Sequence, residues 1–231
     1  MRIKAYMISC ASREEQRRQT IANLRTSDWD EEPVVVLDRS TSPVPVQRIV
    51  ETALALLQRA DADGSPLILF LEDDLEFNRH LRHNLEAWPP LRRLQPGEHF
   101  FASLYNPGIA AYRSDAVDGY FIAVPAGVYG SQAFLLSRET VRYLVDHWHE
   151  RREPIDHRMA RLAARVSPLY YHGPSLIQHV GYQSVWGGWY HSARDFDANW
   201  RAESVVARFI EPVPSLDAHT QGQPSSQSTL L

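Results

Sequence analysis

Five consecutive apolar residues, Leu67-Ile68-Leu69-Phe70-Leu71, run directly into three acids, Glu72-Asp73-Asp74. A run that short and that apolar reads as an interior strand, covered on both faces. Its neighbours must then supply the covering helices. Upstream, residues 3–10 have strand character, and Ser12-Arg13-Glu14-Glu15 has the form of a capping box opening a helix to about Thr26. Val34–Leu37 is a β-branched run expected as a buried strand. Val46, Ile49, Val50, Ala53, Leu54 and Leu57 recur at helical spacing, so 46–60 reads as an amphipathic helix. Strands alternating with helices predict right-handed βαβ crossovers. The expected fold class is α/β, with a mostly parallel, Rossmann-like sheet.

The second half is less regular. Residues 79–94 read as helix broken by Pro89-Pro90, and 100–105 and 120–124 are strand-like. Residues 132–136 are another apolar run, after which Ser137 caps a helix whose Val141, Leu144, Val145 and Trp148 form one face. A further helix is expected over 157–166. From about residue 212 the chain is rich in Pro, Ser, Gln and Thr, so 1–211 is expected as one domain and 212–231 as a disordered tail.

Charge narrows the partners. With 24 basic and 28 acidic residues the formal net charge is −4, which supplies no broad attraction for nucleic acid or anionic lipid. No apolar stretch approaches the roughly 18–20 residues that span a bilayer. Residues 1–10 hold no secretory apolar core, and a single cysteine allows no intrachain disulfide; both point to the cytoplasm. Of the basic residues only Lys4 is lysine. A P-loop is therefore excluded, and lysine nucleophile chemistry would rest on Lys4 alone. A bound anion must be met by arginine, backbone amides, a helix N-terminus or a metal.

Four features can carry chemistry. Glu72-Asp73-Asp74 sits at the C-terminal end of a strand, where ligands bind in open α/β sheets. Strand alternation puts Glu72 and Asp74 on one side and Asp73 on the other. Crowded carboxylates favour a hard cation such as Mg2+ or Mn2+; the competing reading is a solvated loop in which one acid caps the next helix. Asp38 ends the second strand in the same way, as a partner for a hydroxyl or base N–H or as a turn residue. His179 follows an apolar run and becomes a ligand only if the fold carries it to Asp74. Asp156, just ahead of a helix, is either an N-cap or a general base. His147, Trp148 and His149 are discounted as a metal pair, since i and i+2 do not face one another on a helix. Cys10 reads as a buried thiol, and the acids at 28–32 as a solvated loop. Trp186, Trp189 and Tyr190 could stack on a sugar or pack in the core.

Three segments resemble the N-acetylglucosaminyltransferase IV family of GT-A glycosyltransferases. Leu69-Phe70-Leu71-Glu72-Asp73-Asp74-Leu75 resembles its strand ending in a Glu-Asp-Asp form of the Asp-x-Asp motif. Pro154-Ile155-Asp156 resembles its Pro-Ile-Asp before a helix. Pro174-Ser175-Leu176-Ile177-Gln178-His179-Val180-Gly181, followed by Gln183-Ser184, resembles its Pro-Ser-Leu-Phe-Gln-His-Val-Gly run. The likeness spans roughly residues 1–190, without that family's membrane anchor or lectin-like module.

The resemblance implies a UDP-sugar donor and a hydroxyl acceptor, whether glycan, lipid-linked sugar, protein or small molecule. It implies Mn2+ or Mg2+ held by Asp74 and His179, and Asp156 as the base of an inverting transfer. Ser9, Arg13, Asp38, Glu72, Asp73 and Gln132 would bind the nucleotide sugar, with Gly130-Ser131 and Gly187-Gly188-Trp189 near the sugar. Two other classes stay open: a non-catalytic sugar-binding protein on the same fold, and a metal-dependent phosphohydrolase or nucleotidyltransferase.

Overall fold

A computed structural model describes residues 2–108, 119–181 and 190–203. The expectations for Gln183-Ser184, Trp186, Gly187-Gly188-Trp189 and the tail from 212 lie outside those residues. Seven strands form one sheet: β1 (Ile3–Ser9), β2 (Val34–Leu37), β3 (Leu67–Leu71), β5 (Phe101–Ser103), β6 (Tyr120–Ala123), β7 (Ala133–Ser137) and β8 (Leu169–His172), in the order β2-β1-β3-β7-β5-β8-β6. Two further strands, β4 (Leu75–Phe77) and β9 (Ile177–His179), pair separately and antiparallel.

The first 75 residues fold as the alternation predicts. β1 pairs in parallel with both β2 and β3, joined by α1 (Glu14–Arg25) and α2 (Pro45–Asp63). β3 then meets β7 antiparallel, β7 meets β5 antiparallel, β5 and β8 are parallel, and β6 closes the far edge antiparallel. Five of the seven strands point one way; β7 and β6 run against them.

The sheet separates two cores. On β3, Ile68 and Phe70 join Ile49, Leu56, Val141 and Met159 on one face, while Leu67, Leu69 and Leu71 join Leu24, Leu81 and Leu85 on the other. This two-residue alternation is why a strand apolar throughout is needed at the centre. α2, α5 (Arg138–His147) and α6 (Ile155–Ala163) cover the first face; α1 and α3 (Leu81–Ala87) cover the second.

Several local expectations are corrected. Ser12 caps no helix: residues 11–13 form a 3-10 turn, α1 begins at Glu14, and the Ser12 hydroxyl lies 3.2 Å from the Cys10 thiol. The arginine inside that turn is drawn to the acid cluster, which overrides the capping pattern. β2 is an edge strand and only half-buried, because nothing pairs beyond it. α6 begins at Ile155, so Asp156 lies inside its first turn and Pro154 takes the cap position. The break at Pro89-Pro90 falls where expected, with α4 (Pro89–Arg92) starting on those prolines. Ser137 caps α5 as read, its Oγ accepting the Thr140 N–H at 3.3 Å.

Candidate active site

β3 stops at Leu71 and the chain bends through Glu72-Asp73-Asp74 before β4, so strict alternation ends there. Asp73 does not face away from Asp74. The Arg13 guanidinium holds both, with Nε 2.8 Å from Asp73 Oδ1 and an Nη 2.5 Å from Asp74 Oδ2. The Ser9 hydroxyl donates to Asp73 at 2.5 Å, and Arg17 donates to Ser9 Oγ at 3.0 Å. Thr20 of α1 locks the bend from the other side: its Oγ1 donates to the Asp73 carbonyl and accepts the Leu75 N–H.

Glu72 takes a third direction. Its carboxylate accepts the Ser131 hydroxyl, and its N–H donates to the Gln132 carbonyl at 3.0 Å. That contact exists because β7 runs antiparallel to β3, which sets the start of β7 beside the end of β3. In the same loop Gly130 has φ +78°, and a Cβ there would lie 2.3 Å from Gln132 Oε1. The Gly130 N–H donates to Asp156 Oδ2 at 3.0 Å, while Asp156 Oδ1 accepts the N–H of His157 at 2.8 Å. One loop thus links the acid cluster to Asp156.

His179 reaches Asp74 through the β4–β9 pairing, which sets it opposite Leu75. Its Nε2 lies 3.4 Å from Asp74 Oδ2, and its Nδ1 lies 2.9 Å from the His191 carbonyl. A carbonyl partner holds the Nδ1 proton and turns Nε2 towards Asp74, the orientation common for a ligating histidine. The Val180 N–H donates to the Asp74 carbonyl at 2.9 Å, and a Cβ on Gly181 would lie 2.0 Å from Asp74 Oδ2. Only glycine lets Asp74 occupy this place.

The rest of that run also has assigned work. Ser175 Oγ accepts the Asn106 N–H and donates to Asp195 at 2.6 Å. Leu176 and Ile177 are core residues. The Gln178 side chain behaves as a spare peptide unit, donating to the Ala193 carbonyl and accepting the Ala193 N–H, each at 2.9 Å. It thereby brings the His191 carbonyl to His179. Tyr105, His191, Asp195 and Arg17 were not identified from sequence; no spacing rule links 105, 179 and 191, whose proximity is tertiary. Tyr105 Oη lies 2.6 Å from His191 Nδ1, and Tyr190 stacks on His179 at 5.8 Å.

Electrostatically the cluster is unevenly compensated. Burial, reinforced by the Asp74 charge, pushes the Glu72 carboxyl up to about 7. Burial also outweighs Ser9 and Arg13 in raising Asp73. For Asp74, burial is outweighed by His179 and Arg13, which hold it below the usual carboxylate range. His179 answers in kind: burial opposes its charge, but Asp74 prevails and raises it. Asp74 Oδ1 is buried and has no hydrogen-bond donor.

Asp38 stands apart from this set. Its carboxylate accepts the Ser40 N–H at 2.8 Å and Arg48 Nε at 2.8 Å, the pattern of a turn tied to the start of α2. Its N–H still donates to the Ser9 carbonyl at 2.7 Å, so it lies at the same sheet end. Among the described residues no three His, Cys, Asp or Glu side chains converge on one point, and no helix is long and apolar enough to cross a membrane.

No family model matches the chain, and no curated protein does. Among solved structures the chain is similar to the glycosyltransferase GlyE of Streptococcus pneumoniae TIGR4, at 9% identity and a TM-score of 0.39, over 73% of this chain and 45% of that one. It therefore spans under half the length of GlyE in that structure. It is also similar to the galactosyltransferase LgtC in complex with donor and acceptor sugar analogs, at 8% identity and a TM-score of 0.43, over 72% of each chain. An active-site mutant of LgtC is similar at 9% identity and a TM-score of 0.42.

Proposed function

We propose that this chain is an inverting glycosyltransferase, moving a sugar from a UDP-sugar to an acceptor hydroxyl with a divalent cation bound. N-acetylglucosamine is the donor sugar that the family resemblance favours. One observation carries the reading. The three segments of that resemblance, far apart in sequence, meet at the end of β3: His179 and Gly181 against Asp74, and Asp156 joined to Glu72 through residues 130–132.

The residues suit Mg2+ or Mn2+. Asp74 offers a buried, undonated carboxylate oxygen, and His179 offers Nε2 with its other nitrogen satisfied. Asp74 and His179 would hold the cation, with diphosphate oxygens and water completing its shell. When bound, the cation supplies Lewis-acid screening of the charge on the departing diphosphate. Arg13 keeps Asp73 and Asp74 oriented and offsets part of their charge. Ser9, Asp73 and Asp38, at the ends of β1, β3 and β2, would border the nucleotide from beneath, held by Arg17, Arg13 and Arg48.

Asp156 is the general base. Its two oxygens each accept one backbone N–H, which orients the carboxylate and leaves each a lone pair for the acceptor hydroxyl. Removing that proton frees the acceptor oxygen to attack the anomeric carbon from the face opposite the leaving diphosphate.

The test is Asp156→Asn. Transfer is expected to fall about 10²–10⁴-fold, the usual share of general-base help, while donor binding is unchanged. Donor affinity is measured by calorimetry and turnover by product assay. A variant that loses donor binding and folding together would leave Asp156 a structural residue of α6.

A further inference from the structure

A cavity of about 590 Å³ lies between the N-terminal half of α2 and the segment 148–158 that leads into α6. On the α2 side Val46, Val50 and Leu54 line it together with Gln47 and Glu51. Arg158 is 8% exposed, lies over the Trp148 ring at 5.2 Å, and lines the cavity. Its Nε donates to the Glu153 carbonyl at 3.2 Å. Among the described residues its two Nη groups have no hydrogen-bond acceptor and no carboxylate within salt-bridge distance. They are not sealed in protein, so they open onto the cavity.

A buried guanidinium without a counter-ion is costly to keep, and a bound anion is the direct way to compensate it. Both acids of the lining are engaged: Glu153 pairs with Arg151 and Arg161, and Glu51 accepts the Gln47 amide. The exposed Arg152 and His149 add donors at the rim, and burial lowers the Arg158 pKa. Arg158 and Asp156 are two residues apart on α6 and so project to different faces of one helix start. The cavity, which Asp156 does not line, is therefore a site apart from the general base.

The geometry points to the cavity as a binding site for a small anionic sugar, its carboxylate or phosphate on Arg158 and Arg152 and its apolar ring face against Val46, Val50 and Leu54. The site stands independently of the transferase reading. The probes are glucuronate, glucose 1-phosphate and glucose, titrated into the full chain without donor or metal.

At least one anion is expected to bind about tenfold or more tighter than glucose, as charge-assisted hydrogen bonds require; which one binds identifies the anion. Arg158→Gln is expected to weaken that anion about tenfold or more. Arg152→Gln, an exposed change that leaves folding intact, is expected to weaken it severalfold, and Asp156→Asn not at all. Equal affinity for glucose and both anions overturns the assignment, and so does anion binding indifferent to Arg152→Gln. If the anions bind as expected but no nucleotide sugar is turned over, the transferase reading fails and the anion site stands.

Discussion

Gly181 has no side chain, yet it decides what Asp74 can do. A methyl group there would sit 2.0 Å from Asp74 Oδ2. Gly181→Ala must therefore displace the carboxylate or the strand that carries His179. We expect a loss of about 1–3 kcal/mol in thermal unfolding, as for overpacked interiors, and loss of Mn2+-dependent UDP binding. An unchanged UDP titration would separate Asp74 from the metal. His172 bears on acid stability instead. Fully buried, with Nδ1 2.6 Å from the Pro174 carbonyl, its pKa is lowered by burial to about 4, beneath the ordinary 6.5. As pH falls the unfolded chain takes the proton first. The neutral ring's contribution is thus present above pH 6.5 and is lost between 6.5 and 4, up to about 3 kcal/mol. His172→Gln should flatten the melting temperature across that window; an unaltered slope would assign the acid sensitivity elsewhere.

At the scale of elements, what could be read from sequence was periodicity, and what could not was anything set by a distant partner. β3 and α2 follow from spacing alone, because five apolar residues and an i, i+3, i+4 stripe each have one economical use. Ser12 shows the limit: its capping pattern is sound, but Arg13 is bound to Asp73 and Asp74, and the helix starts later. Likewise the acids at 28–32, read as merely solvated, include Asp28, whose carboxylate accepts the Arg82 and His83 N–H groups at the start of α3. Asp28→Ala should lower stability by about 0.5–2 kcal/mol, as loss of a cap does, with transfer unaffected. Gln178→Ala removes two hydrogen bonds to Ala193 and frees the segment that orients His179. Its expected signature is a fall in turnover together with faster amide exchange near residues 191–193.

For the whole molecule, the decisive event is the change of strand direction between β3 and β7. Parallel pairing was legible through βαβ spacing, but nothing local announced that β7 would lie against β3 in reverse. That reversal is what sets Ser131 and Gln132 against Glu72, so the link from the acids to Asp156 was beyond sequence reasoning. Phe70 sits at this junction, in ring contact with Phe134, which in turn meets Phe101. Phe70→Ala should cost about 3–5 kcal/mol, a large part of a typical domain's 5–15, and be read as a lower denaturation midpoint.

The seven-stranded sheet is complete once residue 172 is in place, but residues 190–203 supply the His191 carbonyl, the Ala193 and Asp195 contacts, and the carbonyls that Asn78 and Asn84 bind. During synthesis the chain therefore passes through a stage at which every strand of its sheet has been made while His179 still lacks the carbonyl that orients it. Nascent chains halted before residue 190 would carry the sheet's strands but not the partners of Gln178, Asn78 and Asn84.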